Sequence, residues 1–251
     1  MPSQNLLNLE PRLSHNGILE PIQDGWRLMI PAGPAGRYRL SQLDDHMHIP
    51  RKKYPYRSPL TLSLRARTSS ESAPGTWGFG LWNDPFGFSF GPGEGFFHLP
   101  ALPNAIWFFF ASQKNYLSFR DDKPAQGFIA QVFSSPAFQP SLFLAGLALP
   151  FSRKTTRRLL SRVIEEDSAA VRVEATQWHA YRLEWSPRRS RLWVDSALAL
   201  DSPVSPRPPL GIVIWIDNQY AAFTPDGKLR WGLETNEKDA WLEIENIEIS
   251  T

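Results

Sequence analysis

The run Trp178-His179-Ala180-Tyr181-Arg182-Leu183-Glu184-Trp185, then Pro187-Arg188-Arg189, then Arg191-Leu192-Trp193-Val194-Asp195, decides the fold class. Successive side chains on a strand point to opposite faces, so Tyr181, Leu183 and Trp185 share one face and Glu184 points away from them. The proline-led step reverses the chain, and 191–195 returns as the hairpin partner. The same two-residue period recurs on both sides. Upstream, Leu60, Leu62, Leu64 and Ala66 alternate with Thr61, Ser63, Arg65 and Arg67, as a half-buried strand requires. Trp77-Gly78-Phe79-Gly80-Leu81-Trp82 alternates large residues with glycine until its end, and glycine inside a strand marks close approach of another backbone or a ligand. The stretch 105–111 is apolar on both faces, as a central strand covered on both sides must be. Further strands are expected at 115–119, 128–133, 142–149 and 210–217. In 241–249, Leu242 and Ile244 are followed by Ile247 and Ile249, and this slip from even to odd predicts a β-bulge near Glu245-Asn246.

One segment breaks the pattern. Ser152 is a candidate N-cap for a helix carrying Leu159, Leu160, Val163 and Ile164 on one face, which predicts an inserted surface helix over 152–167. Its cations come first and its acids last, against the helix macrodipole. The basic face could touch a phosphate or an anionic surface, but it reads first as a plain solvated face. The proline-rich stretches 50–59 and 202–209 connect strands rather than domains, since strand pattern resumes after each. The expectation is therefore a single domain over 1–251, with N-terminal strands and connections in 1–58.

Composition agrees. The 251 residues include 16 Gly and 23 Pro, too many for a helix bundle and natural for short strands joined by turns. No self-similar period of the kind that marks a propeller or solenoid is present. Lys+Arg number 27 against Asp+Glu 25, which argues against a nucleic-acid partner, because such binders carry a basic domain or stripe. The absence of cysteine removes disulfides, thiolate catalysis and thiolate metal sites. The opening MPSQNLLNLEPRLSH has no basic region followed by an apolar one, so no signal peptide is expected and a cytoplasmic location is. No apolar stretch is long enough to predict a membrane span.

The hairpin resembles that of laminarinase-type glycoside hydrolases of family sixteen, which read W-H-T-Y-x-[IL]-E-W-[ST]-P and then I-x-[WF]-Y-V-D-G. The stretch 241–249 is similar to that family's closing strand, and 75–82 sits where such proteins carry a G-x-W-P-A-F-W-like strand. The resemblance implies an all-β, concanavalin A-like jelly-roll sandwich of two antiparallel sheets with one or two short helices, one sheet being concave and able to carry a saccharide. It also shows a departure. The family's chemistry needs alternating carboxylates in E-[ILV]-D-x-x-E on one strand, with the outer pair about 5–5.5 Å apart for retention. The equivalent stretch by order is 104–113, where Ala105, Trp107 and Phe109 stand at the acid positions, or Phe110 if the strand bulges. No Asp or Glu lies between Glu94 and Asp121. A strand so composed supplies neither proton donor nor nucleophile.

Candidate ligand-binding residues on the concave sheet are Trp82, Asp84, Trp107, Phe109, Trp215, Asp217 and Tyr220. Indole and phenyl faces stack on sugar rings or other flat ligands, and carboxylates fix hydroxyls. Taken singly, each aromatic reads first as a core residue, and Asp217-Asn218 reads first as a turn. Asp44-Asp45-His46-Met47-His48 is the one metal-like cluster, and without a third spaced ligand it reads as a polar loop. His98 and His179 are isolated, and no G-x-S-x-G nucleophile elbow occurs. Gly91-Pro92-Gly93-Glu94-Gly95 reads as a loop at the rim and not a phosphate cradle. The expected function is binding of carbohydrate or a similar flat small molecule without catalysis, cofactor or metal. The alternatives are a glycoside hydrolase or lyase whose acids come from Asp84, Asp217 and Glu94 with Tyr220, and an interaction protein using its aromatic face.

Overall fold

In the computed structural model, residues 8–85, 101–136 and 153–251 are described. Among them the chain forms two seven-stranded antiparallel sheets, a small hairpin and one α-helix. The first sheet runs, edge to edge, β1 (Glu10–Ser14), β4 (Leu40–Asp44), β13 (Gly211–Asp217), β6 (Thr76–Trp82), β7 (Ala105–Ala111), β8 (Gly127–Ser134) and β9 (Glu165–Ala170). The second runs β12 (Ala197–Ser202), β11 (Arg189–Val194), β10 (His179–Ser186), β5 (Leu60–Thr68), β16 (Ala240–Ser250), β3 (Gly25–Ile30) and β2 (Ile18–Ile22). β14 (Gln219–Phe223) and β15 (Leu229–Leu233) form a separate two-stranded hairpin. Strands distant in sequence are neighbours: β13 lies between β4 and β6, and β16 between β5 and β3.

The core follows from the two-residue period. Trp77, Phe79 and Leu81 of β6, Ile106, Phe108 and Phe110 of β7 and alternate isoleucines of β13 meet Leu60, Leu62 and Leu64 of β5 and Tyr181, Leu183 and Trp185 of β10. Phe79 and Phe108 both approach the Tyr181 ring, with centroids 4.9 and 5.0 Å away. In the decisive hairpin Ser186 pairs with Arg189, so the turn is Pro187-Arg188 alone. The bulge falls where parity slips: the β16–β5 register shifts between Glu245 and Glu248, and Asn246 takes φ 53°. The two proline-rich connections run side by side, since Tyr56 and Leu210 exchange backbone hydrogen bonds of 3.0 Å.

Three expectations are corrected. The helix, α1 (Arg153–Val163), is shorter than 152–167, because Glu165 and Glu166 open β9. The Glu166 carboxylate is drawn inward by the Phe119 N–H at 2.8 Å and the Gln131 Nε2 at 3.1 Å, which a helical continuation would not supply. Leu159 is not on the packed face but exposed; the helix seats through Thr156, Arg157 and Leu160, with Ile164 following. The stretch 115–119 is no strand. Tyr116 makes one parallel bridge to Ala222, while the Leu117 and Phe119 N–H groups go to Ala125 and Glu166. The expected strand at 142–149 and the Ser152 cap lie outside the described residues. Among the described residues no helix is long and apolar enough to cross a membrane.

A candidate binding face on the first sheet

An antiparallel sheet commonly packs one face and leaves the other to water. The first sheet buries both. Its face away from the core carries Trp82 from β6, Trp107 and Phe109 from β7, Ile129 and Phe133 from β8 and Val213 and Trp215 from β13. The register explains why three indoles fit there. Trp215 lies opposite Gly78, and Trp107 opposite Gly80. A Cβ on Gly78 would stand 2.7 Å from Trp215 Cη2, and one on Gly80 2.6 Å from the Trp107 Cα, so the glycines leave the space over which the indoles lie. What comes nearest is the backbone of β7, with the Phe108 carbonyl 2.6 Å from a Gly78 Cβ and the Ile106 carbonyl 2.4 Å from a Gly80 Cβ, and the two tryptophans lie beside it. Trp82 and Trp215 are near parallel at 6.2 Å and 7°, and Trp107 sits 5.6 Å from Trp215 and 5.4 Å from Phe109.

Each indole N–H is engaged by a side chain that fixes its ring. Trp215 Nε1 donates to Thr76 Oγ1 at 2.9 Å, and that hydroxyl donates onward to Asp217 Oδ1 at 2.8 Å. Asp217 also accepts the backbone N–H groups of Thr76 and Gln219 and the Tyr38 hydroxyl. Burial nonetheless dominates and pushes its pKa up to about 7, the Thr76 hydroxyl opposing. Trp107 Nε1 donates to Gln131 Oε1 at 3.1 Å, and the Gln131 amide reaches Glu166, whose pKa is likewise raised by burial. Trp82 Nε1 donates to His46 Nε2 at 2.9 Å. Because that nitrogen accepts, the ring proton sits on Nδ1, 3.3 Å from Asp45 Oδ1. His46 also lies 4.6 Å from the Tyr54 ring.

The structure thus brings Trp82, Trp107, Phe109 and Trp215 together and divides the polar candidates. Trp107, Phe109 and Trp215 are 4–7% exposed, with Leu102, Leu117, Phe119 and Leu160 packed against the cluster. Trp82 and Asp84 are half-buried at one end, and Arg51 donates to the backbone carbonyls of Asn83 and Asp84. Asp217 is buried at the opposite end, and half-buried Tyr220 follows it on β14. Trp82 pairs with Gly211 and Thr76 with Asp217, so the ends are six residues apart, or about 20 Å at ~3.3 Å per residue. Asp84, two residues beyond Trp82, therefore forms no carboxylate pair with Asp217, because both glycosidase geometries need separations under about 10 Å. Glu166 lies four strands from β13. Glu94, His98 and the loop 91–95 lie outside the described residues.

The polar loop after β4 serves structure. Asp44 Oδ1 accepts the N–H groups of His46 and Met47, and His48 pairs with Glu10 instead of joining His46. Among the described residues no group of three metal-ligating side chains forms. His179 ties its strand to the turn at Asp195 and to the Glu174 carbonyl. Sequence reasoning missed Thr76, Gln131, His46 and Glu166 as the residues that orient the indoles. Gln131 left one signal, a lone amide within an apolar strand.

No protein-family model matches the chain, and no curated protein matches it in sequence. Solved structures do match in shape. A legume lectin-like domain from Entamoeba histolytica superposes with a TM-score of 0.52 at 11% identity, covering 97% of this chain and 89% of that one. A glycoside hydrolase family 16 endo-glucanase from Bacteroides ovatus superposes with a TM-score of 0.51 at 11% identity, covering 96% and 94%. At such identity the likeness speaks for architecture alone. The chain has the concanavalin A-like jelly-roll fold.

Proposed function

We propose that the protein binds carbohydrate, or another small molecule with a flat apolar face, without catalysing its conversion, and that the ligand meets the Trp82 end of the aromatic row. The observation carrying this reading is the row itself. The sheet face that water usually covers bears four stacked aromatics, and Trp82 ends the row half-buried with its plane parallel to Trp215. A ring so oriented suits sugar stacking, and Asp84 stands two residues on beside Arg51. The lectin-like and endo-glucanase neighbours share the architecture and favour a saccharide over other flat ligands. The hydrolase alternative gains nothing from the register, which sets Asp84 and Asp217 at opposite ends.

Screening the protein on an array of neutral and acidic oligosaccharides, followed by titration of tryptophan fluorescence, tests the reading. Binding of at least one saccharide class, lost in Trp82→Ala, is expected. Silence across the whole array would overturn it, and measurable turnover of laminarin or lichenan would overturn its non-catalytic part.

A further inference from the structure

Between α1, the segment 119–121 and Pro225 in the β14–β15 turn lies a cavity of about 280 Å3. Its wall carries Arg120, Lys154, Arg157 and Arg158, with Asp121 as the one carboxylate among the described residues that line it. Lys154, Arg157, Arg158 and Ser161 follow at helical spacing and share one face of α1. Elementary helix physics disfavours this arrangement. Like charges four residues apart repel, and cations in a first turn oppose the macrodipole, yet the first turn of α1 holds no acid. Departures from such local rules are found at functional or strained positions.

The four cations are not equivalent. Arg120 is held by Asp122 through a two-pronged contact of 2.9 and 2.6 Å. Arg157 is 5% exposed, and its guanidinium is fixed by the carbonyls of Phe223 and Ser118 at 2.9 and 3.0 Å and by Asp121 at 2.9 Å. Its Nη1 meets no acceptor among the described residues. Lys154 and Arg158 are exposed and form no ion pair there. One guanidinium held in place and flanked by two exposed cations is a donor set that suits a tetrahedral oxyanion. Phe119 and Pro225 complete the wall with apolar surface.

We propose that this cavity binds a small molecule bearing a phosphate or sulfate ester, with Arg157, Lys154 and Arg158 around the oxyanion. The site is concave, which favours a compact anion over an extended anionic surface, and it is independent of the Trp82 end of the first sheet. Calorimetric titration with inorganic phosphate, inorganic sulfate, glucose 6-phosphate and glucose 6-sulfate, at matched ionic strength, tests it on the whole chain. Saturable binding of at least one of these is expected, at least tenfold weaker in Lys154→Gln/Arg158→Gln, a variant whose exposed positions leave folding intact. The ester arms against the inorganic arms show whether the organic part contributes. Absence of saturable binding, or equal binding by parent and variant, overturns the proposal. So does binding of phosphatidylserine vesicles without binding of any of the four small anions, which would make the face a membrane contact instead.

Discussion

The outer faces of the two sheets are both rich in tryptophan and are covered in opposite ways. On the second sheet each indole lies under a guanidinium: Arg182 over Trp193 at 4.9 Å, Arg67 over Trp178 at 4.9 Å, and Arg27 over Trp241 at 5.4 Å. The arginines are in turn paired, and Glu243, almost fully buried, receives both Arg27 and Arg67 at 2.6 Å. On the first sheet the rings cover one another, and their N–H groups are taken by Thr76, Gln131 and His46. Aromatic abundance alone therefore does not locate a binding face. Where cations occupy the ring faces they cap the rings, although the buried Trp193 Nε1 meets no acceptor among the described residues, and where rings stack in a row the row ends at the half-buried Trp82.

The contrast can be broken by substitution. Trp107→Ala removes a ring from the middle of the stacked cluster and strands Gln131, and a loss of about 3–5 kcal/mol is expected in urea unfolding. A loss below about 1 kcal/mol would mean that the cluster is loosely packed and the face more open than described. The next effect is on pH dependence. The folded chain keeps the Asp217 proton until about pH 7, whereas the unfolded chain releases it near pH 4. The folded state binds more protons in between, so this group makes stability fall as pH rises from about 4 to about 7, by a few kcal/mol, and level off above. Asp217→Asn should remove that component. A parent-minus-variant stability difference that stays flat across this range would contradict the burial of the carboxyl.

Smaller effects belong to the second sheet. Glu243→Gln unpairs two arginines that are themselves more than a third exposed, so a loss of about 1–2 kcal/mol is expected, shrinking in high salt. A larger, salt-independent loss would point to packing and not charge. Trp193→Ala should cost least, under about 1 kcal/mol, since it removes one half-buried ring beneath Arg182.

How much of this was legible in the sequence follows from where the period was clean. The 178–195 hairpin, β5 and the bulge were readable because one face of each is charged and the other apolar, so parity carries the fold. β7 was readable as central because both its faces are apolar. β9 was not, since Glu-Glu-Asp-Ser-Ala-Ala alternates nothing apolar; it pairs because Glu166 is hydrogen-bonded inward. The stretch 115–119 misled in the other direction, being apolar enough for a strand while its backbone bonds go to a loop and a carboxylate. Grouping Trp82, Trp107, Phe109 and Trp215 was possible from alternation. That the glycines between them make room for indoles, and that Asp84 and Asp217 end up apart, depended on registers that no single strand records.

Fluorescence titration of Trp82→Ala and Trp193→Ala beside the parent, with whichever oligosaccharide binds best on the array, tests the central claim most directly. At least tenfold weaker binding in Trp82→Ala and unchanged binding in Trp193→Ala are the expected results. Binding lost in Trp193→Ala and retained in Trp82→Ala would place the ligand on the arginine-covered sheet and contradict the assignment.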